Sequence, residues 1–410
     1  MVRALSLHIC IIGGGFGGLY TALYLQKYRH LRNCRITLIE PKAQFLFTPM
    51  MYELITDELK DWEIAPTYSS LIAGKNIQWR QISASSVDLD AQTLTLEDDS
   101  SLSYDYLVIA RGADSRPVDI PGVDEHTLTF RSFQDTQRLR ARLAQLVQAQ
   151  ASQAEPQPVN VVVVGGGPSG VELACKVSDY LRDRHITYRT TLIDRGDTIL
   201  KPFAKGLKKL GARSLLQRGV RLLTETSVQK VKPQAVVVER AEQSGATQSQ
   251  VIPSDLTLWA VGTQPKPWLG VQPIKHNEQG QRLTRRSLQL LDRDNVFTLG
   301  DGADIRGSRQ TPAPNTAQAA FQGASRVAAN LARMAQGKQP KPFNYLHLGD
   351  MITLGIGNAG LHSFGLTLGG KLAALCRRGV YIFRMPTRQH QVKVARRALG
   401  ELFRAIFLLR

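Results

Sequence analysis

The chain has 410 residues, 43% of them hydrophobic, and a formal net charge of +18. This length is sufficient for two or three domains with sizeable cores, and the hydrophobic content is ordinary for a globular protein. Four scattered cysteines without CxxC spacing exclude a disulfide framework and a cysteine metal site, so the sequence predicts no metal and a reducing compartment.

The first predicted elements form a βαβ opening around a glycine-rich loop. An apolar strand over about 7 to 12 leads into Gly13-Gly14-Gly15-Phe16-Gly17-Gly18, and a helix is predicted over about 16 to 29. The glycines allow a tight turn and let the backbone approach a pyrophosphate at the positive end of the helix dipole. Glu40 lies 22 residues beyond Gly18, where an acid binds the ribose of a dinucleotide.

The same fingerprint occurs again in the middle of the chain. Gly165-Gly166-Gly167-Pro168-Ser169-Gly170 follows the strand VNVVVV at 159 to 164, and Asp194 lies 24 residues beyond Gly170. Two complete fingerprints predict two dinucleotides, most economically a flavin held permanently and a nicotinamide nucleotide that visits. The second unit is predicted to contain helices near 168 to 183 and 203 to 218 and strands near 189 to 194, 235 to 240 and 255 to 261.

Two further strands indicate how the two units are connected. YDYLVIA at 104 to 110 precedes the second fingerprint, whereas NVFTLGD at 295 to 301 follows it but has the character of the first unit. The sequence therefore predicts an α/β protein in which one Rossmann-like domain is inserted into another. The predicted parts are 1–120 and 271–340 for the FAD-binding domain, 121–270 for the inserted NAD(P)H-binding domain, and 341–410 for a C-terminal helical region that associates with a membrane.

The C-terminal region carries half of the excess charge. From Lys371 to Arg410 there are ten Lys or Arg and one acid, whereas Met351 to Gly370 is uncharged and contains six glycines. The glycines argue against a membrane-spanning helix and favour strands around a turn. The segment Arg396 to Arg410 predicts an amphipathic helix for an anionic membrane surface, the alternatives being its own domain or a dimer partner. Nucleic acid is disfavoured because no binding motif accompanies the charge. The apolar stripe of this helix consists of Leu399, Leu402, Phe403, Ile406 and Leu409.

These motifs, in this order, resemble the two-dinucleotide-binding-domain flavoproteins. Within that superfamily the chain resembles type II NADH dehydrogenases, which are single-subunit, non-pumping NAD(P)H:quinone oxidoreductases. The narrower resemblance is carried by FLFTPMMYE at 45 to 53 and by AQAAFQ at 317 to 322. Family members typically have a Trp in the C-terminal segment that this chain lacks. In lacking this Trp, the chain resembles the plant and cyanobacterial branch of the family that includes demethylphylloquinone reductase.

The resemblance implies a role for each matching residue. Glu172 is expected near the nicotinamide, and the two glutamines Gln318 and Gln322, four apart on a helix, are expected to bind a quinone carbonyl. The resemblance also implies that a hydride passes from the nicotinamide to flavin N5 and that two electrons pass on to a prenylated membrane quinone of naphthoquinone or plastoquinone type. The FAD residues implied are Gly13, Gly15, Phe16, Gly17, Gly18, Glu40, Pro49, Arg111 and Asp301. The NAD(P)H residues implied are Gly165, Gly167, Pro168, Ser169, Gly170, Asp194 and Gly262.

Several alternatives remain open from the sequence. Asp194 favours NADH, whereas the following Arg195 could receive the 2′-phosphate of NADPH. Glu172 could be an acid of the first helical turn, and the two glutamines could be a solvated helix face. Rival functions are a sulfide:quinone oxidoreductase, which requires a redox-active cysteine pair, and a redox-sensing flavoprotein without quinone turnover.

The expected location is the cytoplasmic face of a membrane. The first strand begins near Leu7, which leaves no room for a cleavable leader. We therefore expect a peripheral membrane protein, on the thylakoid or plasma membrane if the chain is cyanobacterial, with a homodimer as one possible state.

Overall fold

The structure is a computed structural model that describes residues 7–241, 247–306 and 312–407. Its first part is a parallel sheet with a short antiparallel meander beside it. Short 3-10 helices cover Arg29–Leu31, Thr48–Leu54 and Gly300–Gly302. The elements of this part are β1 (His8–Ile12), α1 (Phe16–Leu25), β2 (Arg35–Ile39), α2 (Asp61–Ile64), α3 (Tyr68–Ile72), β3 (Gln78–Arg80), β4 (Ala84–Asp88), β5 (Thr93–Leu96), β6 (Ser101–Ser103) and β7 (Tyr106–Ile109).

The second part begins and ends at a two-stranded antiparallel ribbon, in which β8 pairs with β17. Its elements are β8 (Ala113–Ser115), α4 (Val123–His126), β9 (Leu128–Thr129), α5 (Phe133–Ala151), β10 (Val159–Val164), α6 (Pro168–Arg182), β11 (Tyr188–Ile193), α7 (Lys205–Gln217), β12 (Arg221–Leu223), β13 (Thr226–Lys232), β14 (Ala235–Ala241), β15 (Thr247–Pro253), β16 (Leu256–Trp259) and β17 (Thr263–Pro265).

The chain then returns to the first part and continues into the C-terminal region. The returning elements are β18 (Arg282–Leu283), β19 (Val296–Thr298), β20 (Ala303–Asp304) and α8 (Ala317–Met334). The C-terminal elements are β21 (Asp350–Thr353), β22 (Ala359–Ser363), β23 (Leu366–Gly369), α9 (Gly370–Arg384) and α10 (Arg388–Phe407).

Strand order confirms the predicted architecture of two Rossmann-like units. The first sheet has the order β19-β7-β1-β2-β3 and the second β12-β11-β10-β16-β9, and every pair in both sheets is parallel. Because β19 follows the second unit in sequence but pairs with β7, the second unit is inserted into the first. Each strand of the ribbon ends a few residues before an expected limit, β8 before 120 and β17 before 270; the limits themselves stay predictions.

The C-terminal region differs from the expected helical region in its first half. The uncharged stretch forms the antiparallel sheet β21–β22–β23, as its glycine-rich turns indicate, and the helices of the region up to residue 407 are α9 and α10. Among the described residues, no helix is both long and apolar enough to cross a bilayer. Of the expected apolar stripe on the last helix, Leu409 lies outside the described residues, as do the side chains of Leu402, Phe403 and Ile406.

Candidate active site

The first glycine loop has the shape of a pyrophosphate cradle. Gly13 has a φ of +97°, and a Cβ atom at Gly18 would overlap the carbonyl oxygen of Gly13. Gly15 faces open space at the N-terminus of α1, and no side chain caps this helix. Its first backbone N–H groups are therefore available to an anion, and a dinucleotide pyrophosphate fits this loop.

Glu40 holds the loop in position from the end of β2. Its two carboxylate oxygens accept hydrogen bonds from the backbone N–H groups of Gly14, at 2.7 Å, and Lys42, at 3.0 Å. The hydroxyl of the buried Tyr68 donates to the carbonyl of Gly14 at 2.8 Å. A carboxylate has about four acceptor positions, so Glu40 retains capacity for the ribose hydroxyls.

The second loop repeats this geometry almost residue for residue. Gly165 has a φ of +113°, and a Cβ atom at Gly170 would overlap the carbonyl oxygen of Gly165. Asp194 accepts from the N–H groups of Gly166, at 2.5 Å, and Gly196, at 2.6 Å. The structure thus contains two separate dinucleotide cradles, each closed by an acid at the end of the second strand. Gly167 and Pro168 begin α6 at this loop, with Ser169 in its first turn.

Asp301 and Arg111 lie on the first cradle's side of the molecule. β19 and β7 are neighbours, and Asp301 follows β19 while Arg111 follows β7. Burial raises the pKa of Asp301, and the nearby Arg131 guanidinium opposes this shift. Arg131 also donates to the carbonyl of Gly262, at 2.8 Å, in the second domain. Arg131 therefore places a positive charge of the second domain near the Asp301 carboxylate, which the sequence alone did not indicate.

The loop at 45 to 54 packs its aromatic residues against the start of α1. The Phe16 ring meets Phe45 and Phe47 edge to face, both at 5.3 Å between centroids. Phe16 therefore contributes to the cradle through its backbone at the start of α1, whereas its ring packs against the apolar core of this loop. The Pro49 carbonyl of this loop accepts a hydrogen bond from Arg377 of the C-terminal region.

Arg377 of α9 joins three parts of the site. Only 4% exposed, it donates to the Pro49 carbonyl at 2.5 Å, forms an ion pair with Glu53, and lies 4.0 Å from Glu172. Ala373, Arg377 and Tyr381 form the buried stripe of α9, with helical spacing. In the sequence, Arg377 is one of the ten basic residues counted from 371 to 410, and its position within an apolar stripe is the signal that could have identified it as buried.

Glu172 is buried between the two domains and the C-terminal region. Its Oε1 accepts from the backbone N–H of Thr353 at 2.9 Å. Burial raises the pKa of Glu172 to about 7, and the Arg377 charge opposes this shift. A carboxyl with such a pKa can hold and release a proton near neutral pH, as a proton donor must.

Two further charged residues of α6 attach the same C-terminal loop. Asp179 accepts from the N–H of Ile356 at 2.8 Å and pairs with Arg218 at 2.8 Å. The fully buried Lys176 forms an ion pair with Glu58. Glu172 and Asp179 thus bind the C-terminal region directly. Lys176, on the same side of α6, does so through Glu58, whose carboxylate also accepts from the N–H of Gly357 at 3.1 Å.

Gln318 and Gln322 point the same way from α8, as expected, but both amides already have partners. Gln318 Oε1 accepts from the N–H of Leu348 and the hydroxyl of Tyr345, both at 2.9 Å. Gln322 exchanges two hydrogen bonds with the backbone of Leu346, at 2.8 and 3.0 Å. Both glutamines are half-buried and hydrogen-bonded to the segment 345–349, so a quinone carbonyl must compete with these partners for the two amides.

Comparison with known proteins agrees with this arrangement. The pyridine nucleotide-disulphide oxidoreductase family matches residues 7–324. Demethylphylloquinone reductase of Synechocystis is 39% identical over 392 residues, which are 94% of both chains. Alternative NAD(P)H-ubiquinone oxidoreductase C1 of Arabidopsis thaliana is 32% identical, over 94% of this chain and 79% of that protein.

The fold has a close counterpart among solved structures. NDH2 of Plasmodium falciparum in complex with NADH aligns with a TM-score of 0.83 and 17% identity, over 94% of this chain and 97% of the other. The chain belongs to the pyridine nucleotide-disulphide oxidoreductase family and, within it, to the type II NADH:quinone oxidoreductases, enzymes that use FAD and NADH or NADPH.

Proposed function

We propose that the enzyme transfers electrons from NADH or NADPH to a prenylated membrane quinone, without pumping protons. The observation that carries this proposal is the pair of dinucleotide cradles, with the buried Glu172 on the helix that begins at the second of them. The first cradle is assigned to FAD because Asp301, Arg111 and Pro49 belong to its side of the molecule. Bound FAD supplies a ring that accepts a hydride and releases two electrons singly or together.

The protein's own part is to bind, orient and supply a proton. Glu40 and Asp194 fix their loops and receive the riboses, and Arg131 of the second domain lies near the Asp301 carboxylate of the first. Glu172 donates the proton that a reduced quinone oxygen requires, because its carboxyl is buried and its pKa is about 7. Gln318 and Gln322 orient the quinone carbonyl.

A substitution of Gln322 tests the quinone site. We expect Gln322→Leu to slow quinone reduction about tenfold, since a hydrogen bond lost in the active site costs about 1.5 kcal/mol. Stopped-flow bleaching of the flavin by NADH should stay unchanged. Gln148→Leu, on the exposed face of α5, is the matched control and should alter neither rate. An equal loss in both half-reactions would remove Gln322 from the quinone site.

The quinone that we propose is a naphthoquinone, and the reaction is demethylphylloquinone reduction in phylloquinone biosynthesis. Support comes from the relative of that name, which is 39% identical over nearly the whole chain. Steady-state kinetics against naphthoquinone and plastoquinone analogues, with both nicotinamide nucleotides, test the assignment. A naphthoquinone no faster than the plastoquinone analogue would reject this substrate and leave the family assignment intact.

Arg195 is the residue that we propose for NADPH. The Asp194 carboxylate accepts from two backbone N–H groups and keeps capacity for the ribose, and the next side chain, Arg195, is exposed beside the same loop. Arg195→Ala should lower kcat/KM for NADPH about tenfold and leave NADH within about twofold, as loss of one phosphate contact predicts. Equal changes with both nucleotides would show that Arg195 does not contact the 2′-phosphate.

We further propose that the enzyme lies on the cytoplasmic face of a membrane, bound through its basic C-terminal region.

The sulfide:quinone oxidoreductase alternative needs a reactive cysteine pair, and all four cysteines, each within the described residues, are free thiols. Cys10 lies inside β1 and Cys175 inside α6, both fully buried, and burial raises the pKa of Cys10 to about 12 and that of Cys175 to about 11. Flavin reduction by sulfide without NADH would revive that alternative. Bleaching by NADH without turnover of any quinone would favour the redox sensor.

A further inference from the structure

The exposed large apolar side chains are concentrated in one part of the molecule. Of the fifteen found among the described side chains, ten fall between 346 and 399. Scattered surface hydrophobics are normal, but a concentration of them marks an interaction site. Four belong to a β-hairpin and an adjoining segment, and we call them the hairpin patch: Leu346, Leu348, Phe364 and Leu366.

Contacts show that the two halves of the hairpin patch are neighbours. The hydroxyl of Ser363, beside the turn between β22 and β23, donates to the carbonyl of Leu348 at 2.7 Å. A Cβ atom at Gly349 would overlap the carbonyl of His362, so backbone meets backbone there. The same Leu348 is held by Gln318 at 2.9 Å. The hairpin patch is therefore continuous with the proposed quinone site.

Phe364 is the most informative member because its position disfavours a phenylalanine for two reasons: the side chain is exposed to water, and the backbone has a positive φ. It is 88% exposed, and its φ is +48° in a two-residue turn whose second residue, Gly365, has a φ of +81°. Such turns favour Asn-Gly, and a bulky side chain at positive φ strains the backbone. Retention of an aromatic ring at a strained, water-exposed turn indicates that the ring serves binding.

The surroundings of the hairpin patch indicate what it binds. β23 leads directly into α9, whose outer face continues the apolar surface with Leu372, Leu375 and Phe383. Lys371 precedes this face and Arg384 follows it, and the chain from residue 371 onwards carries a net charge of +9. Apolar side chains bordered by cations match a bilayer with anionic headgroups.

We propose that the hairpin patch inserts into an anionic lipid bilayer and places the quinone site against it. The hairpin patch and the outer face of α9 then form the membrane-binding surface, in addition to the terminal amphipathic segment first expected from the sequence. The proposal deepens the proposed function and rests on it only for the source of the quinone.

Phe364→Asn separates a binding role from a structural one. Asn tolerates positive φ, so the variant should melt at the same temperature as the parent protein or higher. Its binding to vesicles of equal parts phosphatidylcholine and phosphatidylglycerol, measured by flotation, should weaken about tenfold, since one buried aromatic ring is lost. Phe364→Trp should restore binding. The control is Leu216→Asn, which removes a side chain that is 77% exposed on α7 and should bind as the parent does.

Activity assays keep this proposal distinguishable from the proposed function. Phe364→Asn should reduce a water-soluble short-chain quinone at the parent rate and a long-chain quinone in vesicles more slowly. If no quinone is reduced by the parent, the proposed function fails while the flotation result stands. Unchanged flotation of Phe364→Asn overturns the proposal, as does flotation equally strong with phosphatidylcholine alone. Loss of a parent dimer in Phe364→Asn would show that a second copy of the chain covers the hairpin patch.

Discussion

Arg377→Leu should destabilise the protein by about 3–5 kcal/mol, the range for breaking a buried ion pair by removing one partner. Arg377 is almost fully buried, and its removal leaves the carboxylate of Glu53 without a countercharge and the carbonyl of Pro49 without a donor. Glu172, 4.0 Å away, would lose the charge that opposes the rise of its pKa. Urea unfolding at pH 7 with saturating FAD measures the loss.

The neighbouring arginine provides a matched control for this substitution. Arg378 pairs with Glu401 at 2.7 Å, but both side chains are about one-third exposed. A partly exposed pair of this kind contributes at most about 1 kcal/mol. Arg378→Leu should therefore unfold close to the parent, and an equal loss in both variants would show that the buried cluster has no special role.

The Arg377 variant also tests whether the C-terminal region completes the active site. Because Arg377 holds the Pro49 carbonyl, its loss should loosen the loop at 45 to 54 and slow quinone reduction even in molecules that remain folded. Arg377→Lys retains one charge without the two-pronged geometry, so it should recover stability in part and quinone reduction to a smaller extent.

Local sequence signals were sufficient for the architecture because each dinucleotide loop is encoded by adjacent residues. GxGxxG dictates positive φ at Gly13 and Gly165, and no distant residue is needed to form either turn. The inserted domain was predictable for a related reason, since a strand such as 295 to 301 keeps the apolar character of a buried parallel strand.

The charged cluster could not be predicted because its members are far apart in sequence. Glu53, Glu172 and Arg377 come from three different parts of the chain, and their contacts depend on how α9 docks against α6 and the loop at 45 to 54. Likewise, spacing placed Gln318 and Gln322 on one side of α8, but it could not show that the segment 345–349 already binds their amides. Contacts of this kind between distant residues form only when the domains pack, so they can be identified only in the folded structure.

Glu172→Gln should abolish a distinctive pH dependence of stability. The pKa of Glu172 is raised from 4.5 to about 7 in the folded protein, so the folded state binds this proton more tightly than the unfolded state does. Stability from this group is therefore fully present below about pH 4.5 and is lost as the pH rises through 7. A shift of this size corresponds to about 3 kcal/mol.

The variant should thus gain stability relative to the parent at pH 8 and not at pH 5, while losing activity at both. Gln keeps an oxygen for the N–H of Thr353 but has no proton to give, so quinone reduction should slow about 100-fold, within the range for general acid catalysis. Flavin bleaching by NADH should persist. Melting temperatures from pH 5 to 8 and the two half-reactions, measured on both proteins, decide the outcome. If the parent and Glu172→Gln lose stability in parallel as the pH rises, the carboxyl of Glu172 does not hold a proton near neutral pH and is not the donor.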